Sequence, residues 1–430
     1  MTSRSNSPLR RRWVPPRPGA KLTVFRNGRS VGTLEKRGPS RYRFAYSEKV
    51  ETALSVSLPL REKAYGPSES APFFEGLLPE GSVRRTIAER FRLSEGDGFG
   101  LLAALGADCA GAVVLLPEGE QPDGERDTSV RVLGEDELSA LVDELPRHPL
   151  GVDLEPGDVR LSLGGVQDKL VLVRLASGEF GQPLGGAPST CLLKPDYGRY
   201  EDLAVNEAFC MRAAAGAGLD VAVTELIRIG ATPCLYVERF DREEGGEGRV
   251  FRLHQEDVCQ ALGILPSAKY EASGGPSVAQ VVALLRGLGS ALAALDVNRF
   301  LKAVLLNFLL GNSDAHGKNF ALLYDRSAGV RLAPLYDLVS TAVYPELTPR
   351  MAMSIGGAEI PEEVDVAAWD RLAKASGLGG QLPALLKRWA ADVIVGVQEA
   401  RQTALEEGWH RPVIDRIVEG CWARRTQLGV

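Results

Sequence analysis

Strand-like and helix-like patterns divide the 430-residue chain into a β-rich start, a mixed middle and a helical end. Near the start, Leu22 and Val24 alternate with polar residues, and Asn27-Gly28 followed by Ser30–Leu34 is typical of a β-hairpin. Further strands are predicted at Tyr42–Tyr46 and Ala53–Leu58, followed by helices at Ser82–Phe91 and Gly98–Leu105.

Beyond residue 130 the pattern changes twice. A helix is predicted at Glu135–Leu145, and short apolar runs then surround one further helix at Val205–Ala217. Those runs predict strands at Asp168–Leu175, Cys191–Lys194, Leu226–Ile229 and Cys234–Arg239. From Gln255 strands become scarce, and three-to-four spacing of apolar residues predicts helices at Val278–Leu295, Val297–Leu310, Ala367–Ala375 and Leu382–Leu405.

These patterns predict an α+β chain in four parts. Residues 1–19 form a disordered, basic tail, and residues 20–128 form a β-rich N-terminal module that ends in a linker dense in Glu, Gly, Asp and Pro. Residues 129–250 form a small mixed α/β lobe, and residues 251–430 form a helical lobe.

Composition and charge narrow the class of protein. Apolar residues make up 44% of the chain, which excludes a mainly disordered protein, and no run of about 20 uncharged apolar residues could cross a membrane. The net charge is −6, and five arginines in residues 1–19 leave −11 for the rest, which disfavours DNA binding by the folded body alone. Six widely spaced cysteines predict neither a disulfide scaffold nor a zinc cluster, so a cytoplasmic protein is expected.

The segment from Asn307 to Phe320 carries the strongest chemical signal. An apolar helix stops at Gly311, and a polar loop then presents Asp314, His316 and Asn319. Protein kinases place a base aspartate five residues before a magnesium-binding asparagine, which is the spacing of Asp314 and Asn319. The Asp-x-His-x-x-Asn layout also resembles lipid kinases, and the loop alone is equally compatible with a polar turn that caps a helix.

Other residues fit a kinase site when taken together with this loop. Asp337, between apolar neighbours, could be a second magnesium ligand. Lys194 ends an apolar strand and could face a phosphate, and Glu207 on the next predicted helix could pair with it as in kinases.

Two further features are weaker. Gly164-Gly165 lies between strand-like segments, and its backbone amides could wrap a phosphate, although an ordinary hairpin turn is the alternative. For His316 we favour a role in stabilising the loop over a chemical one.

In combination these motifs resemble the HipA family of bacterial serine/threonine kinase toxins. In the kinase part the matches are Ser162-Leu163-Gly164-Gly165-Val166-Gln167-Asp168-Lys169, Leu193-Lys194-Pro195, Asn206-Glu207, Val237-Glu238-Arg239-Phe240-Asp241-Arg242, His254-Gln255-Glu256-Asp257-Val258-Cys259-Gln260, Lys269-Tyr270-Glu271, Asp314-Ala315-His316-Gly317-Lys318-Asn319 and Tyr336-Asp337. In the N-terminal module they are Asn27-Gly28, Val31-Gly32, Leu54-Ser55, Ser57-Leu58-Pro59-Leu60 and Phe73-Phe74-Glu75-Gly76-Leu77-Leu78-Pro79-Glu80-Gly81. The resemblance implies a protein-kinase-like, two-lobed fold preceded by the N-terminal module.

The resemblance also implies residue roles with ATP and Mg²⁺ as cofactors. Asp314 matches the catalytic aspartate, Lys194 the ATP-contacting lysine, and Asn319 and Asp337 the magnesium ligands. Backbone groups near Glu238 and Phe240 would hold the adenine. Ser162 matches a serine that the family autophosphorylates.

The implied partners are a HipB-like helix-turn-helix antitoxin, which would supply the contact with DNA, and a protein substrate. The best-known member phosphorylates glutamyl-tRNA synthetase, so an aminoacyl-tRNA synthetase is one candidate, but the residues do not identify the substrate. No membrane partner is expected. Two alternatives stay open at this point: a small-molecule or lipid kinase, and a non-catalytic transcriptional regulator that binds an antitoxin.

Overall fold

The structure is a computed structural model that describes residues 13–39, 41–122, 129–147, 168–245, 249–325 and 329–429. Its strands are Lys21–Arg26 (β1), Arg29–Gly38 (β2), Arg41–Tyr46 (β3), Val113–Pro117 (β4), Val130–Val132 (β5), Leu170–Arg174 (β6), Phe180–Pro183 (β7), Cys191–Pro195 (β8), Thr224–Ile229 (β9), Thr232–Glu238 (β10), Arg242–Glu244 (β11), Val250–Arg252 (β12), His254–Asp257 (β13), Ala321–Asp325 (β14) and Gly329–Leu332 (β15). Its helices are Pro67–Gly76 (α1), Gly81–Arg90 (α2), Gly98–Leu105 (α3), Glu135–Glu144 (α4), Leu203–Gly216 (α5), Val258–Leu262 (α6), Val278–Gly287 (α7), Ala293–Leu310 (α8), Val366–Ala375 (α9), Leu382–Glu406 (α10) and Pro412–Gln427 (α11).

The N-terminal module is an antiparallel sheet in the order β3-β2-β1-β4, with helices packed on one face. The predicted hairpin is confirmed, because Asn27 and Gly28 both have positive φ (51° and 73°) and join β1 to β2. Helix α1 lays Phe73 and Phe74 on the sheet, where the Phe74 ring lies 5.3 Å from that of Phe44. Burial of each such ring contributes about 1.5–3 kcal/mol to folding.

Two parts of this module differ from the prediction. Ala53–Leu58 is not a strand, because its polar groups bond across to the helical lobe: Ser55 Oγ and Val56 N donate to the Glu256 carboxylate at 2.5 and 2.9 Å. Upstream, Trp13 lies in the segment predicted to be disordered, but its indole donates to the Phe91 carbonyl at 3.1 Å and its ring contacts Phe91 edge-on.

The small lobe is built on an antiparallel sheet in the order β5-β7-β6-β8-β10-β9. Helix α5 packs between this sheet and helix α10 of the helical lobe. The two helices approach closely where Gly216 faces Gly396, since a Cβ on Gly216 would lie 2.8 Å from the Gly396 Cα. This close contact fixes α5, and with it Glu207, relative to the helical lobe.

The helical lobe surrounds α8, which is buried along most of its length. The predicted helix Val278–Leu295 is wrong as one element: α7 ends at Gly287, Gly289 takes a left-handed φ of 67°, and α8 begins at Ala293. Several elements were not predicted; they include β4, β5, β7, β11, β12, α1, α6, α11 and the small antiparallel sheet β13-β14-β15. Strand β14 begins at Ala321, directly after the loop that follows α8, so the strand fixes where this loop leaves the core.

Buried charges join the N-terminal module to the small lobe. Asp108, with no exposed side-chain surface, accepts from Arg242 at 2.8 Å and Arg252 at 3.1 Å, and Arg239 lies 3.6 Å away. Asp241 accepts from Arg239 at 2.8 Å and from the backbone amide of Gly111 in the module at 2.6 Å. Although burial opposes ionisation, the arginines keep the pKa of Asp108 below its ordinary value, so the network is charged at neutral pH.

All six cysteines are buried and carry no disulfide. Among the described residues, no helix combines the length and the apolar character that a membrane crossing requires.

The Asp108→Asn substitution should lower the free energy of unfolding by about 3–5 kcal/mol, because it leaves three buried arginines with one carboxylate. Glu201→Gln is the matched control, since it removes one charge from an exposed ion pair with Arg416 and should cost less than about 1 kcal/mol. Urea unfolding followed by circular dichroism measures both variants. Equal unfolding midpoints would contradict the conclusion that the Asp108 network stabilises the junction between the N-terminal module and the small lobe.

Candidate active site

The 312–319 loop starts where α8 stops. Gly311 ends the helix with a left-handed φ of 75°, and a Cβ there would lie 2.7 Å from that of Ala342. The Asn312 side chain then donates back to Asn307 Oδ1 at 2.8 Å, and the hydroxyl of Thr341 accepts from the next backbone amide. The loop is therefore held at its base by both the helix and the segment that follows Asp337.

Asp337 has a φ of 58°, which is uncommon for a residue other than glycine. The chain is fixed on both sides of it. Before it, Leu335 exchanges backbone hydrogen bonds with Asp220 and Ala222; after it, Asn206 on α5 bonds both the amide and the carbonyl of Ser340 at 2.8 and 2.9 Å. Strain held by surrounding contacts in this way is typical of functional positions.

Lys194 joins two carboxylates. Its ammonium group donates to Glu207 Oε1 at 2.7 Å and to Asp337 Oδ1 at 2.9 Å, so the pair with Glu207 that was predicted from the sequence is formed. Burial alone would lower the pKa of Lys194, but Asp337 and Glu207 raise it above its ordinary value. Lys194 in turn lowers the pKa of Asp337 to about 2, so Lys194 and Asp337 are both charged at neutral pH. Burial raises the pKa of Glu207, and the charge of Lys194 opposes that shift.

Asn319 and Asp337 lie side by side at the boundary between the helical lobe and the small lobe, which we call the cleft. The Asn319 amide donates to Asp337 Oδ2 at 3.3 Å, and the Asp337 side chain keeps 43% of its surface exposed. A carboxylate and an amide oxygen are hard donors that suit Mg²⁺. In the part of the chain that the structure describes, no group of three or more His, Cys, Asp or Glu side chains could hold a metal. The two residues fit an ion whose remaining ligands are phosphate and water.

Asp314 is exposed in the 312–319 loop. Its Oδ1 accepts from the Tyr270 hydroxyl at 2.8 Å. Partial desolvation and the negative charge of Asp337 raise the pKa of Asp314, against the lowering effect of the Tyr270 hydrogen bond. An accessible carboxylate with a raised pKa is suited to accept or orient a proton from a hydroxyl.

His316 is buried inside the same loop. Its ring contacts Tyr270 edge-on at 5.3 Å, and burial, with the nearby charge of Lys269, lowers its pKa to about 3. The imidazole is therefore neutral at physiological pH. Packing against Tyr270 agrees with the loop-stabilising role favoured from the sequence, and the low pKa gives His316 no proton to donate near neutrality.

The end of β10 and the residues after it include Glu238 and Phe240, near which the adenine was predicted to bind. Glu238 is exposed at the end of β10, where its amide donates to the Val223 carbonyl, and the Phe240 ring lies 5.6 Å from that of Tyr336. This contact places Phe240 beside the residue that precedes Asp337. Ser162, Gly164 and Gly165 lie outside the described residues.

Sequence reasoning gave no role to Lys169, although the structure places it among the site charges. Lys169 is 8% exposed at the start of β6, and burial, together with repulsion from Lys194, lowers its pKa to about 8. Asp337 and Glu80 act on it in the opposite direction. The signal in the sequence was a lysine opening an apolar strand, which is too common to single out.

The chain is similar to known proteins over most of its length. A family model of the HipA-like C-terminal domain matches residues 161–404, and a model of the HipA N-terminal domain matches residues 22–116. The chain is 42% identical over 394 residues to the "Putative kinase Y4mE" of Sinorhizobium fredii, covering 90% of this chain and 92% of that protein. It is 33% identical over 338 residues to the serine/threonine-protein kinase toxin HipA of Shewanella oneidensis, covering 76% and 75%.

A solved structure is also similar over nearly the whole chain. It is the complex of Shewanella oneidensis HipA with HipB and operator DNA, and its HipA-like chain superposes with a TM-score of 0.78 at 27% identity, covering 95% of this chain and 97% of that one.

Proposed function

The chain belongs to the HipA family of kinases, and from that premise we propose that it is a serine/threonine protein kinase, the toxin of a toxin–antitoxin pair, which transfers the γ-phosphate of ATP to a protein hydroxyl. The observation that carries the proposal is the bridge from Lys194 to both Glu207 and Asp337, with Asn319 bonded to Asp337 and Asp314 exposed in the same loop as Asn319. A protein that only bound an antitoxin would need none of these charges.

Each residue has a distinct task in the proposed reaction. Lys194, held by Glu207, orients the ATP phosphates, and Asn319 and Asp337 would hold Mg²⁺, which neutralises charge on the transferring phosphoryl group. Asp314 accepts or orients the proton of the attacking hydroxyl. The new bond joins that oxygen to the γ-phosphorus while the bond to the β-phosphate oxygen breaks, which yields ADP and a phosphoprotein.

The proposed partners follow from charge and similarity. A HipB-like helix-turn-helix antitoxin would supply most contacts with DNA, because the chain without its first 19 residues has a net charge of −11. The substrate we propose is a protein hydroxyl, for which an aminoacyl-tRNA synthetase is one candidate. The proposed location is the cytoplasm, where six buried free thiols stay reduced.

Asp314→Asn should reduce phosphoryl transfer by about 10²–10⁴-fold while leaving Mg–ATP affinity unchanged, because the residue acts on the hydroxyl proton and not on the metal. Asp337→Asn should lose transfer and also weaken Mg–ATP binding. Labelled phosphate transfer from γ-labelled ATP into a bacterial lysate, together with calorimetry of Mg–ATP binding, separates the two effects.

Asp370→Asn makes the same chemical change at an exposed site on α9 and should behave as the unmodified protein. If folded Asp314→Asn protein kept near wild-type transfer, the active-site assignment would be wrong. Labelling of lipid or of a small molecule in place of protein would point to the other class of kinase.

We also propose that the chain autophosphorylates at Ser162 and that this modification switches it off. A phosphate adds about −1.5 to −2 charges, which would repel the phosphates of ATP if the segment around Gly164-Gly165 contacts the nucleotide. During incubation with ATP and Mg²⁺, mass spectrometry should place phosphate on Ser162 as nucleotide affinity falls. Ser162→Asp should reproduce the loss, and modified protein that still binds ATP as tightly as fresh protein would refute the switch.

The isolated chain should bind operator DNA weakly, and its complex with the antitoxin tightly with a steep salt dependence, because a basic partner supplies the phosphate contacts. Fluorescence anisotropy at several salt concentrations measures both. Tight, strongly salt-dependent operator binding by the chain alone would count against this assignment.

A further inference from the structure

Glu80, a residue of the N-terminal module, lies between two lysines that flank the proposed active site. Its Oε2 accepts from Lys269 Nζ at 3.0 Å, and its Oε1 lies 3.7 Å from Lys318 Nζ. All three side chains are largely buried, with 16%, 12% and 8% of their surfaces exposed. Although burial would raise the pKa of Glu80, Lys318 and Lys269 keep it below its ordinary value, so Glu80 is anionic at neutral pH.

Lys269 links Glu80 to the part of the 312–319 loop that carries Asp314. The next residue, Tyr270, donates its hydroxyl to Asp314 Oδ1 at 2.8 Å and packs its ring against His316. The carbonyl of Lys269 also accepts from the Gly317 amide at 3.4 Å. A shift of Lys269 would therefore move the hydroxyl that holds Asp314.

Lys318 links Glu80 to the Asn319 end of the same loop. It precedes Asn319, donates to Asp257 at 2.8 Å, and donates to the carbonyl of Gly76 in the N-terminal module at 3.2 Å. Its own carbonyl accepts from Tyr336, the residue before Asp337, at 2.6 Å. The position of Lys318 thus constrains both proposed magnesium ligands.

Docking of the module alone does not explain this arrangement. The Asp108 network and the contacts of Glu256 with Ser55 and Val56 already join the module to the two lobes, and none of them touches the 312–319 loop. Glu80 differs from them because one of its partners precedes Tyr270, which bonds Asp314, and the other precedes Asn319.

We propose that Glu80 is a positioning residue for phosphoryl transfer: through Lys269 and Lys318, the N-terminal module sets the geometry of Asp314 and Asn319. This inference rests on the proposed kinase function. A misplacement of reacting groups by about 1 Å can cost about 10²-fold in rate, so a charge that aligns the loop from outside the kinase lobes can act on the rate without contacting ATP.

The test compares Glu80→Gln with Glu89→Gln in the full chain. The first keeps the shape of the side chain but loses the charge between the lysines; the second makes the same change at an exposed site on α2. Transfer of labelled phosphate from γ-labelled ATP with Mg²⁺, to the chain itself and to a bacterial lysate, gives the maximal rate and the half-saturating ATP concentration. Glu80→Gln should lower the maximal rate by about 10–100-fold and change the half-saturating concentration less than threefold. Glu89→Gln should change neither.

A second pair of variants approaches the same link from the other side. Lys269→Met should lower the maximal rate as Glu80→Gln does, and Lys269→Arg, which keeps the cation, should restore most of it. This pair decides the question if Glu80→Gln protein does not fold.

The outcomes separate the two proposals. If the unmodified chain transfers no phosphate although it binds Mg–ATP, the kinase function fails. If the unmodified chain is active and Glu80→Gln matches Glu89→Gln, only the positioning role is overturned. A parallel loss of rate, ATP affinity and thermal midpoint in Glu80→Gln and Lys269→Met would also overturn it, because that result identifies a purely structural contact.

Discussion

A single ammonium group, that of Lys194, holds together two consecutive elements and a third segment that lies 143 residues further along the chain. Strand β8 supplies the lysine, helix α5 supplies Glu207, and the segment after β15 supplies Asp337. Without Lys194, Glu207 would be a buried carboxylate that has lost its ion-pair partner, and a charge of that kind is strongly unfavourable. The geometry of the cleft between the lobes therefore depends on the ion pairs of Lys194 as much as on apolar packing.

The N-terminal module is attached to the rest of the chain by polar contacts more than by a shared apolar core. Its own core around Phe73 and Phe74 is largely distinct from that of the helical lobe, and Asp108, Glu80 and Ser55 reach across the boundary. Hydrogen bonds and ion pairs depend steeply on geometry, whereas apolar contacts tolerate sliding. Such a junction therefore favours one relative placement of module and lobes.

Sequence reasoning reached the parts of this structure that local patterns encode. The turn at Asn27-Gly28 follows from backbone preferences, and the kinase-like spacing of Asp314 and Asn319 is preserved within one loop. Sequence reasoning failed where contacts between residues that are distant in the sequence determine the local structure. Ala53–Leu58 has strand-like alternation, yet its polar groups bond to Glu256, about 200 residues away in the sequence. The contact of Glu80 with Lys269 spans 189 positions, and no local pattern reports it.

The side chain of Asn206 limits how this fold can be regulated. Many kinases are controlled by swinging the glutamate-bearing helix away from the lysine. Here Asn206, next to Glu207, is bonded to both backbone groups of Ser340, and Gly216 at the other end of α5 is packed on Gly396. An outward swing would break both attachments at once and displace the Asp337 segment with it. Helix α5 is therefore fixed to the helical lobe at both ends. Regulation would then act on the entry of nucleotide or substrate into the cleft.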